Sequence, residues 1–574
     1  MKLIPKINGS LEMGNGTLQL SPEIRLPRQY PEIDQVFDQR LTALELPPAQ
    51  GKPTQVVVHT EAMGNGAYRL KIGEDTIRVD AAGPEGYSNA LTTLYQLAVM
   101  GRGKVLCCTL TDSPRFGWRG VMLDVCRHFF PVEEIKRILE QCALLKLNRF
   151  HWHLSNDQGF RVESRRFPEL NQISSCRLLS PDDPLVEREA AKAGDRYGGY
   201  YTQEEIREVV AYAQARQIEV IPELEVPGHS SAILAAFPQF TCSGEPLRVK
   251  NTFGVHERIF CAGNEAAYDF LFELLDEWFE LFPSKFIHLG GDEAPKTVWR
   301  ACPKCRQVIE REGLGGYEAL QAYFTGRLTE YCKKAGKIPI VWNESAASGT
   351  LSDDAVVQYW AEMAPGPSYV APELSRGRKL ILSNGDNLYC SNNYAEMPLR
   401  ATLCYEPNVK GIPVPKENVL GVEAAMWTEW TPEPGDIEEH MYPRLLAVAE
   451  CGWSRERSWE EFEPRAQDFL ETGSLNVLRP FPWTQATVHG ERALQMIARG
   501  MLEMGRKYGS MSSGDPEEAS GKAEAVTPDG TEAQQVDMRS AVRAHMEGKL
   551  NGIYTPEEIE RVIQIILDEM ERET

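Results

Sequence analysis

Short apolar runs alternate with segments of helical periodicity from residue 115 to about residue 460. Helices are predicted between most of these runs. One begins at Pro131, which suits a first helical turn, and another at Thr202, where Glu205 completes a capping box. Repeated strand-then-helix units predict an α/β fold, a (β/α)8 TIM barrel, with functional residues at the C-terminal ends of its strands. The predicted strands are Gly120–Asp124, Asn148–Leu154, Glu219–Glu225, Phe286–Gly290, Ile338–Asn343, Ala355–Trp360, Lys379–Ser383 and Leu420–Trp427.

The residues before the barrel follow a different pattern. Residues 67–72 and 75–80 alternate between polar and apolar positions on either side of a short turn, which predicts a β-hairpin. From Gly86 onward, apolar residues recur at helical spacing, which predicts a helix. We therefore assign residues 1–113 to a small N-terminal α/β domain and residues 114–475 to the barrel.

Residues 476–574 are predicted to form a C-terminal helical region. Within it, residues 509–536 are rich in Ser, Gly, Glu, Ala and Pro and contain no aromatic residue, which predicts a flexible linker. Two helices are predicted after the linker, over Met538–Leu550 and Thr555–Glu573. The second carries an apolar stripe that favours docking on the barrel, with a homodimer contact as the alternative; its members are Ile559, Val562, Ile563, Ile566 and Met570.

Composition and charge narrow the class of function. The 574 residues include 61 Lys plus Arg and 83 Asp plus Glu, and the net charge of −22 argues against a nucleic-acid partner. No apolar run is long enough to span a membrane, so no membrane partner is expected. The N-terminus lacks the apolar segment of a signal peptide. Thirteen scattered cysteines are then typical of free thiols in a reducing compartment, which predicts a cytoplasmic protein.

Two motifs resemble parts of metal sites, and neither is assigned a metal. Cys302-Pro-Lys-Cys305 supplies two of the four ligands that a structural zinc requires, and no second paired motif lies nearby in the sequence. His151 and His153 share one face of a predicted strand, but no complementary ligand set is evident. The glycine pairs match no nucleotide-binding fingerprint, so neither a metal nor a cofactor is predicted.

The densest group of reactive side chains follows the fourth predicted strand, where Gly290 and Gly291 precede Asp292 and Glu293. Two glycines let the backbone turn sharply and let a ligand approach closely. Two carboxyl groups at a barrel mouth suit glycoside hydrolysis, in which one group protonates the leaving oxygen and another stabilises the positive charge that develops on the sugar.

Aromatic and charged residues end several other predicted strands. Trp342, Trp360 and Trp427 end strands five, six and eight, and together they indicate an aromatic-walled pocket. Sugars bind such walls because their C–H faces stack on rings while their hydroxyls bind charged groups. Arg127 and Glu429 are suitable partners for those hydroxyls.

The motifs at these strand ends resemble those of glycoside hydrolase family 20, the β-N-acetylhexosaminidases. The resemblance covers about residues 60 to 455 and includes the small domain before the barrel. Its motifs are His288-Leu-Gly-Gly-Asp-Glu, His151-Trp-His-Leu-Ser-Asn-Asp-Gln-Gly, Pro222-Glu-Leu-Glu-Val-Pro-Gly-His, Met426-Trp-Thr-Glu and Pro443-Arg-Leu-Leu-Ala-Val-Ala-Glu.

The resemblance implies an exo-β-N-acetylhexosaminidase that removes terminal non-reducing β-GlcNAc or GalNAc from small oligosaccharides or glycoconjugates, without a cofactor. It implies a retaining, substrate-assisted mechanism, in which the substrate's 2-acetamido oxygen attacks the anomeric carbon and forms an oxazolinium intermediate. Glu293 is then the general acid and later the base, and we expect burial and the neighbouring carboxylate to raise its pKa.

The other roles implied by the resemblance surround that acid. Asp292 binds the acetamido N–H and stabilises the intermediate, and Tyr389 hydrogen-bonds to the acetamido oxygen. The remaining roles are a pocket wall of Trp342, Trp360 and Trp427, hydroxyl contacts from Arg127 and Glu429, and a second layer of His229 and Asp157 behind Glu293.

Three positions depart from the family's pattern. Asn156 stands where many relatives carry a second acidic residue and Glu225 where Asp is common, and both changes are mild. Ser391 stands where many relatives carry an Asp that contacts the 6-hydroxyl. Loss of that carboxylate removes an acceptor and also removes repulsion toward an anionic 6-substituent. We hypothesise tolerance of 6-sulfate or 6-phosphate; the alternative is ordinary recognition through Ser391 or a water.

Two rival functions remain open from the sequence. One is a carbohydrate-binding pseudoenzyme on the same fold, against which the intact Asp292, Glu293 and Tyr389 argue. The other is a barrel glycosidase with a protein nucleophile, which would form a covalent glycosyl-enzyme.

Overall fold

The structure is a computed structural model, and it describes residues 2–472 except residues 22, 48–52, 363–365 and 395–396. Beyond residue 472 it describes residues 475, 477, 479–487, 494–495, 497–499, 501–502, 542–543, 546–547 and 554–573. The predicted linker at 509–536 and most of the predicted helix over Met538–Leu550 lie outside the described residues. None of the helices in these ranges combines the length and apolar character that crossing a bilayer requires.

A five-stranded sheet forms the N-terminal part of the chain. The helix Pro84–Met100 packs on it, and the helix Pro31–Ala43 packs on that helix. The predicted hairpin is confirmed, because Leu70 and Val79 are cross-strand partners in an antiparallel pair and both are buried. In spatial order the strands are Leu11–Gln19, Lys104–Asp112, Tyr68–Ile72, Thr76–Ala81 and Gln55–Thr60.

Eight parallel strands close into a barrel, as the sequence predicts. Neighbours in the barrel are neighbours in the chain, and the eighth strand closes on the first with Gly421 paired to Trp118 and Met426 to Leu123. This arrangement brings the C-terminal ends of all eight strands to one mouth. Strands one to eight are Trp118–Asp124, Arg149–His153, Glu219–Glu223, Phe286–His288, Ile338–Trp342, Val356–Tyr359, Leu380–Leu382 and Val419–Met426.

Helices cover the outside of the barrel, and two begin where the sequence predicts. Pro131 is the N-cap of Val132–Leu144, and Thr202 forms the capping box with Glu205 at the start of Gln203–Ala215. The other helices of this region are Pro184–Glu187, Ser231–Ala236, Glu265–Leu281, Thr297–Ala301, Pro303–Glu312, Tyr317–Lys334, Ala371–Ser375, Gly385–Leu388, Leu399–Leu403, Pro434–Met441, Arg444–Trp453 and Trp459–Glu471. The loops contain three short strand pairs: Ser155–Asn156 with Gly159–Phe160, Cys176–Leu178 with Arg196–Gly198, and Asn408–Val409 with Ile412–Pro413.

The barrel interior changes from apolar to charged toward the mouth. Near the N-terminal ends of the strands, Trp118 and Val356 belong to one apolar cluster, and Phe286 packs against it. Nearer the mouth, the buried carboxylates of Glu223 and Glu423 lie on either side of His151, at 3.0 and 2.8 Å from its two ring nitrogens. Buried charges need such partners because desolvation penalises an unpaired charge severely.

The C-terminal helix Pro556–Glu573 is confirmed, with Thr555 and Glu558 exchanging capping hydrogen bonds. The expectation that its apolar stripe docks on the barrel is wrong for the residues that the structure describes. The stripe packs instead against neighbours from the C-terminal region itself, which supply enough apolar surface to bury it. These neighbours are Leu494, Ile497, Ala498, Met546 and Tyr554.

Candidate active site

The glycine pair after strand four sets the position of the central carboxyl groups. Gly290 and Gly291 have φ values of +63° and +104°, in the left-handed region that favours glycine. A Cβ on Gly290 would also lie 2.1 Å from the carboxyl group of Glu225, and a Cβ on Gly291 would lie 2.4 Å from the Ser345 hydroxyl. The close approach lets the Gly291 amide donate a 2.7 Å hydrogen bond to Glu225. Both glycines are therefore required by space as well as by conformation.

Glu293 ends a chain of three titratable side chains that begins inside the protein. Asp157 is fully buried, and its Oδ2 lies 2.8 Å from His229 Nδ1. His229 Nε2 in turn lies 3.3 Å from Glu293 Oε2. The amide of Ser231 donates to the other oxygen of Asp157 at 2.9 Å and fixes that carboxylate. Only Glu293 reaches the solvent, with 42% of its side chain exposed.

Backbone strain accompanies this arrangement. His229 and Glu293 both have positive φ values, 44° and 42°, which are uncommon for residues other than glycine. Such conformations cost on the order of 1–3 kcal/mol each and persist where the surrounding structure holds them. Here they turn the two side chains toward each other.

The protonation of these linked side chains differs from what the sequence predicts. Burial raises the pKa of Glu293, but the hydrogen bond from His229 and its positive charge lower it more, so the net pKa lies below its ordinary value. Burial lowers the pKa of His229, but Asp157 and Glu293 raise it well above its ordinary value. The expectation of a raised pKa for Glu293 is therefore wrong for the free site, where His229 holds the proton.

Asp292 has a buried carboxyl partner that sequence reasoning missed. Burial and the Asp292 charge raise the pKa of Glu225 well above its ordinary value, and burial also raises the pKa of Asp292. A protonated Glu225 can therefore donate a hydrogen bond to Asp292. One oxygen of Asp292, Oδ1, is buried and has no hydrogen-bond partner. That atom is available to accept a hydrogen bond from a ligand.

Four aromatic rings line one side of the mouth in a continuous series. Trp360 stacks on Tyr389 with ring centroids 6.2 Å apart, and Tyr389 lies 6.2 Å from Trp427. Trp427 lies 6.1 Å from Trp342, which is 1% exposed and forms the floor. The structure thus brings together the three predicted tryptophans and Tyr389.

Buried carboxylates orient the tryptophans of this wall. Trp342 Nε1 donates to Glu223 at 2.8 Å, and Trp360 Nε1 donates to both oxygens of Glu344 at 3.0 Å. Sequence reasoning missed the roles of Glu223 and Glu344. The sequence feature that could have predicted Glu344 as a site residue is its position. It stands two residues after Trp342, at the mouth-side end of strand five.

Arg127 and Glu429 form a charged pair next to the aromatic wall, with 3.6 Å between Nη2 and Oε1. Arg127 also donates to Asp124 at 3.1 Å, and its guanidinium lies 5.0 Å from the centre of the Trp427 ring. Its Nε is buried without a hydrogen-bond partner. A charged pair beside an aromatic face suits a ligand that presents both hydroxyls and C–H groups.

Ser391 lies on the loop that carries Tyr389, and its side chain is half-buried. The loop is held to strand eight by the amide of Cys390, which donates to the Ala425 carbonyl at 2.7 Å. The Asn392 side chain donates to the Gly385 carbonyl at 2.8 Å and fixes the next residue. Ser391 thus occupies an anchored position two residues beyond the Tyr389 ring.

The candidate metal motifs have different surroundings in space than in sequence. His151 lies between Glu223 and Glu423, and His153 pairs with Glu223, so these rings belong to the buried charged layer. Cys302 and Cys305 do have a second pair of cysteines beside them, Cys242 and Cys261. No second pair of cysteines is close to Cys302 and Cys305 in the sequence, but the fold brings one beside them, so that interpretation is wrong for the folded protein.

Comparison with known proteins places this site in a family. The model described as "Glycosyl hydrolase family 20, catalytic domain" matches residues 116–456, and that of "Glycosyl hydrolase family 20, domain 2" matches residues 1–113. The chain belongs to glycosyl hydrolase family 20. The resemblance found in the sequence motifs is thereby confirmed.

Curated relatives of this glycosyl hydrolase include the β-hexosaminidases of Porphyromonas gingivalis and Vibrio furnissii. The first is 33% identical over 75% of this chain and 60% of its own length. The second is 32% identical over 79% of this chain and 76% of its own length. The chain therefore spans less than two thirds of the Porphyromonas relative.

Solved structures show the same architecture. The exo β-N-acetylglucosaminidase of Vibrio harveyi in complex with N-acetylglucosamine is 28% identical, with a TM-score of 0.71 over 84% of this chain and 78% of that one. The β-N-acetylhexosaminidase of Streptomyces coelicolor A3(2) is 26% identical, with a TM-score of 0.72 over 84% of this chain and 98% of that one.

Proposed function

We propose that the chain is an exo-β-N-acetylhexosaminidase that hydrolyses terminal β-GlcNAc or GalNAc with retention, through a substrate-assisted mechanism. The observation that carries this proposal is the pairing of Glu293, which the buried Asp157 and His229 support, with Asp292 beside an aromatic wall. The names of the relatives support the same activity.

In this mechanism the substrate supplies its own nucleophile. Its 2-acetamido group enters the pocket above Trp342, its N–H donates to the unpaired Asp292 Oδ1, and its carbonyl oxygen accepts from the Tyr389 hydroxyl. The carbonyl oxygen then attacks the anomeric carbon as Glu293 protonates the leaving oxygen. Water, deprotonated by Glu293, opens the oxazolinium intermediate with net retention.

The proton for the first step comes from His229 in this proposal. In the free site His229 is the cation and Glu293 the anion. A bound sugar excludes water from the exposed Glu293 carboxylate, and desolvation disfavours its charged form. The proton then moves across the 3.3 Å hydrogen bond from His229 Nε2 to Glu293 Oε2.

We place the sugar's outer hydroxyls between Arg127 and Glu429, whose charged groups are already paired at 3.6 Å. At the 6-position we propose tolerance of a sulfate or phosphate, since Ser391 adds no negative charge to that side of the pocket.

The first test is release of the aryl group from an aryl β-GlcNAc by the wild type and by Glu293→Gln. We expect turnover by the wild type and a loss of about 10²–10⁴-fold in the variant. Glu140→Gln is the matched control, because Glu140 is also an ion-paired carboxylate but lies on the outer helix Val132–Leu144, between Arg40 and Arg216. An inert wild type would indicate a binding protein and overturn the proposal.

A second experiment distinguishes the nucleophile. A thiazoline analogue of the oxazolinium ion should inhibit the enzyme competitively, because it mimics the intermediate that the substrate forms alone. Covalent labelling of the intact protein by a 2-fluoro sugar would instead identify a protein nucleophile, and it would refute the substrate-assisted mechanism.

A further inference from the structure

Four cysteines from three separate parts of the chain converge beside the barrel mouth. Cys242 and Cys261 belong to the long loop after strand three, and Cys302 and Cys305 follow strand four. All four sulfurs lie within 4.8 Å of one another. Cys261, Cys302 and Cys305 are buried, and Cys242 is partly exposed. The arrangement combines the Cys-Pro-Lys-Cys pair with a second pair that is 40 or more residues away in the sequence.

The distances between the sulfurs distinguish the two ordinary explanations of clustered cysteines. Cys261 Sγ lies 3.7 Å from Cys305 Sγ and 3.8 Å from Cys302 Sγ, and Cys242 Sγ lies 3.9 Å from Cys305 Sγ. A disulfide requires about 2.0 Å between its sulfurs. Four thiolates at about 2.3 Å from one tetrahedral Zn²⁺ lie about 3.8 Å apart. The observed spacing matches the second arrangement.

The backbone around the cluster is packed as a single unit. A Cβ on Gly263 would lie 2.4 Å from the carbonyl carbon of Lys304, so the segment after Cys261 lies directly on the first turn of the helix Pro303–Glu312. This close packing holds the two cysteine-bearing segments together at the cluster.

Basic residues adjoin the cysteines in the chain. Lys304 and Arg306 stand on either side of Cys305. Arg258 donates to the hydroxyl of Ser243, the residue after Cys242, at 3.4 Å, but its guanidinium also pairs with Glu245 at 3.2 Å. Four thiolates around Zn²⁺ would carry a net charge of −2, which cations at adjoining positions would offset in part.

We propose that Cys242, Cys261, Cys302 and Cys305 bind one structural Zn²⁺. Four sulfur ligands complete a tetrahedral site and leave no open position for water, so the ion stabilises the fold and does not take part in hydrolysis. The positions of its four ligands in the chain show which segments the ion would stabilise. The loop that holds Cys242 and Cys261 also carries His229, and the segment that holds Cys302 and Cys305 also carries Glu293.

The zinc would therefore join the two loops that carry the partners of the His229–Glu293 hydrogen bond. Hydrogen bonds already join these loops: the Gly291 amide donates to Glu225 at 2.7 Å, and Trp299 Nε1 donates to the Phe260 carbonyl at 2.8 Å. A metal that crosslinks both loops would hold them more firmly than these hydrogen bonds.

The test is metal analysis of the full-length, untagged protein grown with zinc. We expect about one zinc per chain, with X-ray absorption showing four sulfur neighbours at about 2.3 Å. Cys305→Ser and Cys242→Ser should each lose most of the zinc and lower the Tm. Cys332→Ser, which alters another buried cysteine on the helix Tyr317–Lys334, should keep all of it. Aryl β-GlcNAc turnover is recorded separately, so failure of the proposed activity leaves this result unaffected.

A second measurement covers the case in which the cysteine variants do not fold. Wild-type protein stripped with a chelator should lose Tm and regain it when zinc is restored, and cobalt should give the absorption bands of tetrahedral thiolate coordination. Metal-free wild type with an unchanged Tm, iron in place of zinc, or disulfides among these four cysteines would each overturn the proposal.

Discussion

The substitution Asp157→Asn tests the proposed source of the catalytic proton. Asp157 is fully buried, and its carboxylate lies behind His229 at 2.8 Å. Asparagine keeps the size of the side chain and removes its charge. If Asp157 serves to keep His229 protonated, the variant should lose activity selectively at high pH.

The size of the effect follows from the contact. The hydrogen bond of 2.8 Å between His229 Nδ1 and Asp157 Oδ2 joins two charged groups inside the protein. Hydrogen bonds to charged groups contribute about 1.5–3 kcal/mol. At about 1.36 kcal/mol per pKa unit, its loss lowers the pKa of His229 by about 1–2 units. His229 keeps its proton at pH values below its pKa. When the substitution lowers that pKa, His229 loses the proton at a lower pH.

The assay is kcat/KM for an aryl β-GlcNAc from about pH 5 to about pH 10, since this ratio reports the titration of the free enzyme. The alkaline limb of Asp157→Asn should lie about 1–2 pH units below that of the wild type. Asp34→Asn is the control, because Asp34 is a buried carboxylate that accepts from Tyr87 at 2.7 Å in the N-terminal domain. An equal loss of activity at every pH, with the limb unmoved, would refute the reasoning.

Three further predictions concern other parts of the site. Gly290→Ala should cost at least about 1–2 kcal/mol from its left-handed φ, and more from the clash with Glu225, so its urea midpoint should fall clearly; an unchanged midpoint would contradict the role of the glycine turn. Burial lowers the pKa of His151, but Glu223 and Glu423 raise it to about 9. Protonated His151 should therefore add about 3 kcal/mol to the free energy of unfolding below about pH 6.5, and this contribution is lost as the pH rises through 9. The stability deficit of His151→Gln should shrink by that amount toward about pH 10, and a deficit that stays constant with pH would rule this out. Ser391→Asp should reduce kcat/KM for a 6-sulfated aryl β-GlcNAc by about tenfold or more relative to the unsubstituted substrate, and equal effects on both substrates, or a wild type that rejects the sulfate, would disprove the proposed tolerance.

Local patterns in the sequence predict the scaffold well. Each barrel strand lies within a few residues of an apolar run, because buried parallel strands leave little room for polar residues. Thr202 with Glu205 also marks a helix start correctly, since capping depends on residues only three apart. The same holds for the Gly290-Gly291 turn, whose conformation depends on the residues that form it.

The interactions that set charge and coordination join distant parts of the chain, and these are the points at which sequence reasoning failed. Asp292 adjoins Glu293 in the sequence, which suggested a raised pKa for Glu293. His229 lies 64 residues away, yet its hydrogen bond to Glu293 lowers that pKa. Likewise, the partners of Cys302 and Cys305 lie in the preceding loop. A sequence pattern shows which groups are available, but only the fold shows which of them are in contact.

The excess of carboxyl groups at the mouth suggests why this site suits a cationic intermediate. Burial and mutual repulsion raise the pKa values of Glu225, Asp292 and Glu344 together, because the described site offers too few cations to pair with every carboxylate. In the free site, bound protons relieve that repulsion. An oxazolinium ion beside Asp292 would relieve it instead, because its positive charge would take the place of those protons. In the proposed mechanism, carboxyl groups already held in position would stabilise the cationic transition state more than the neutral substrate, and this difference would accelerate the reaction.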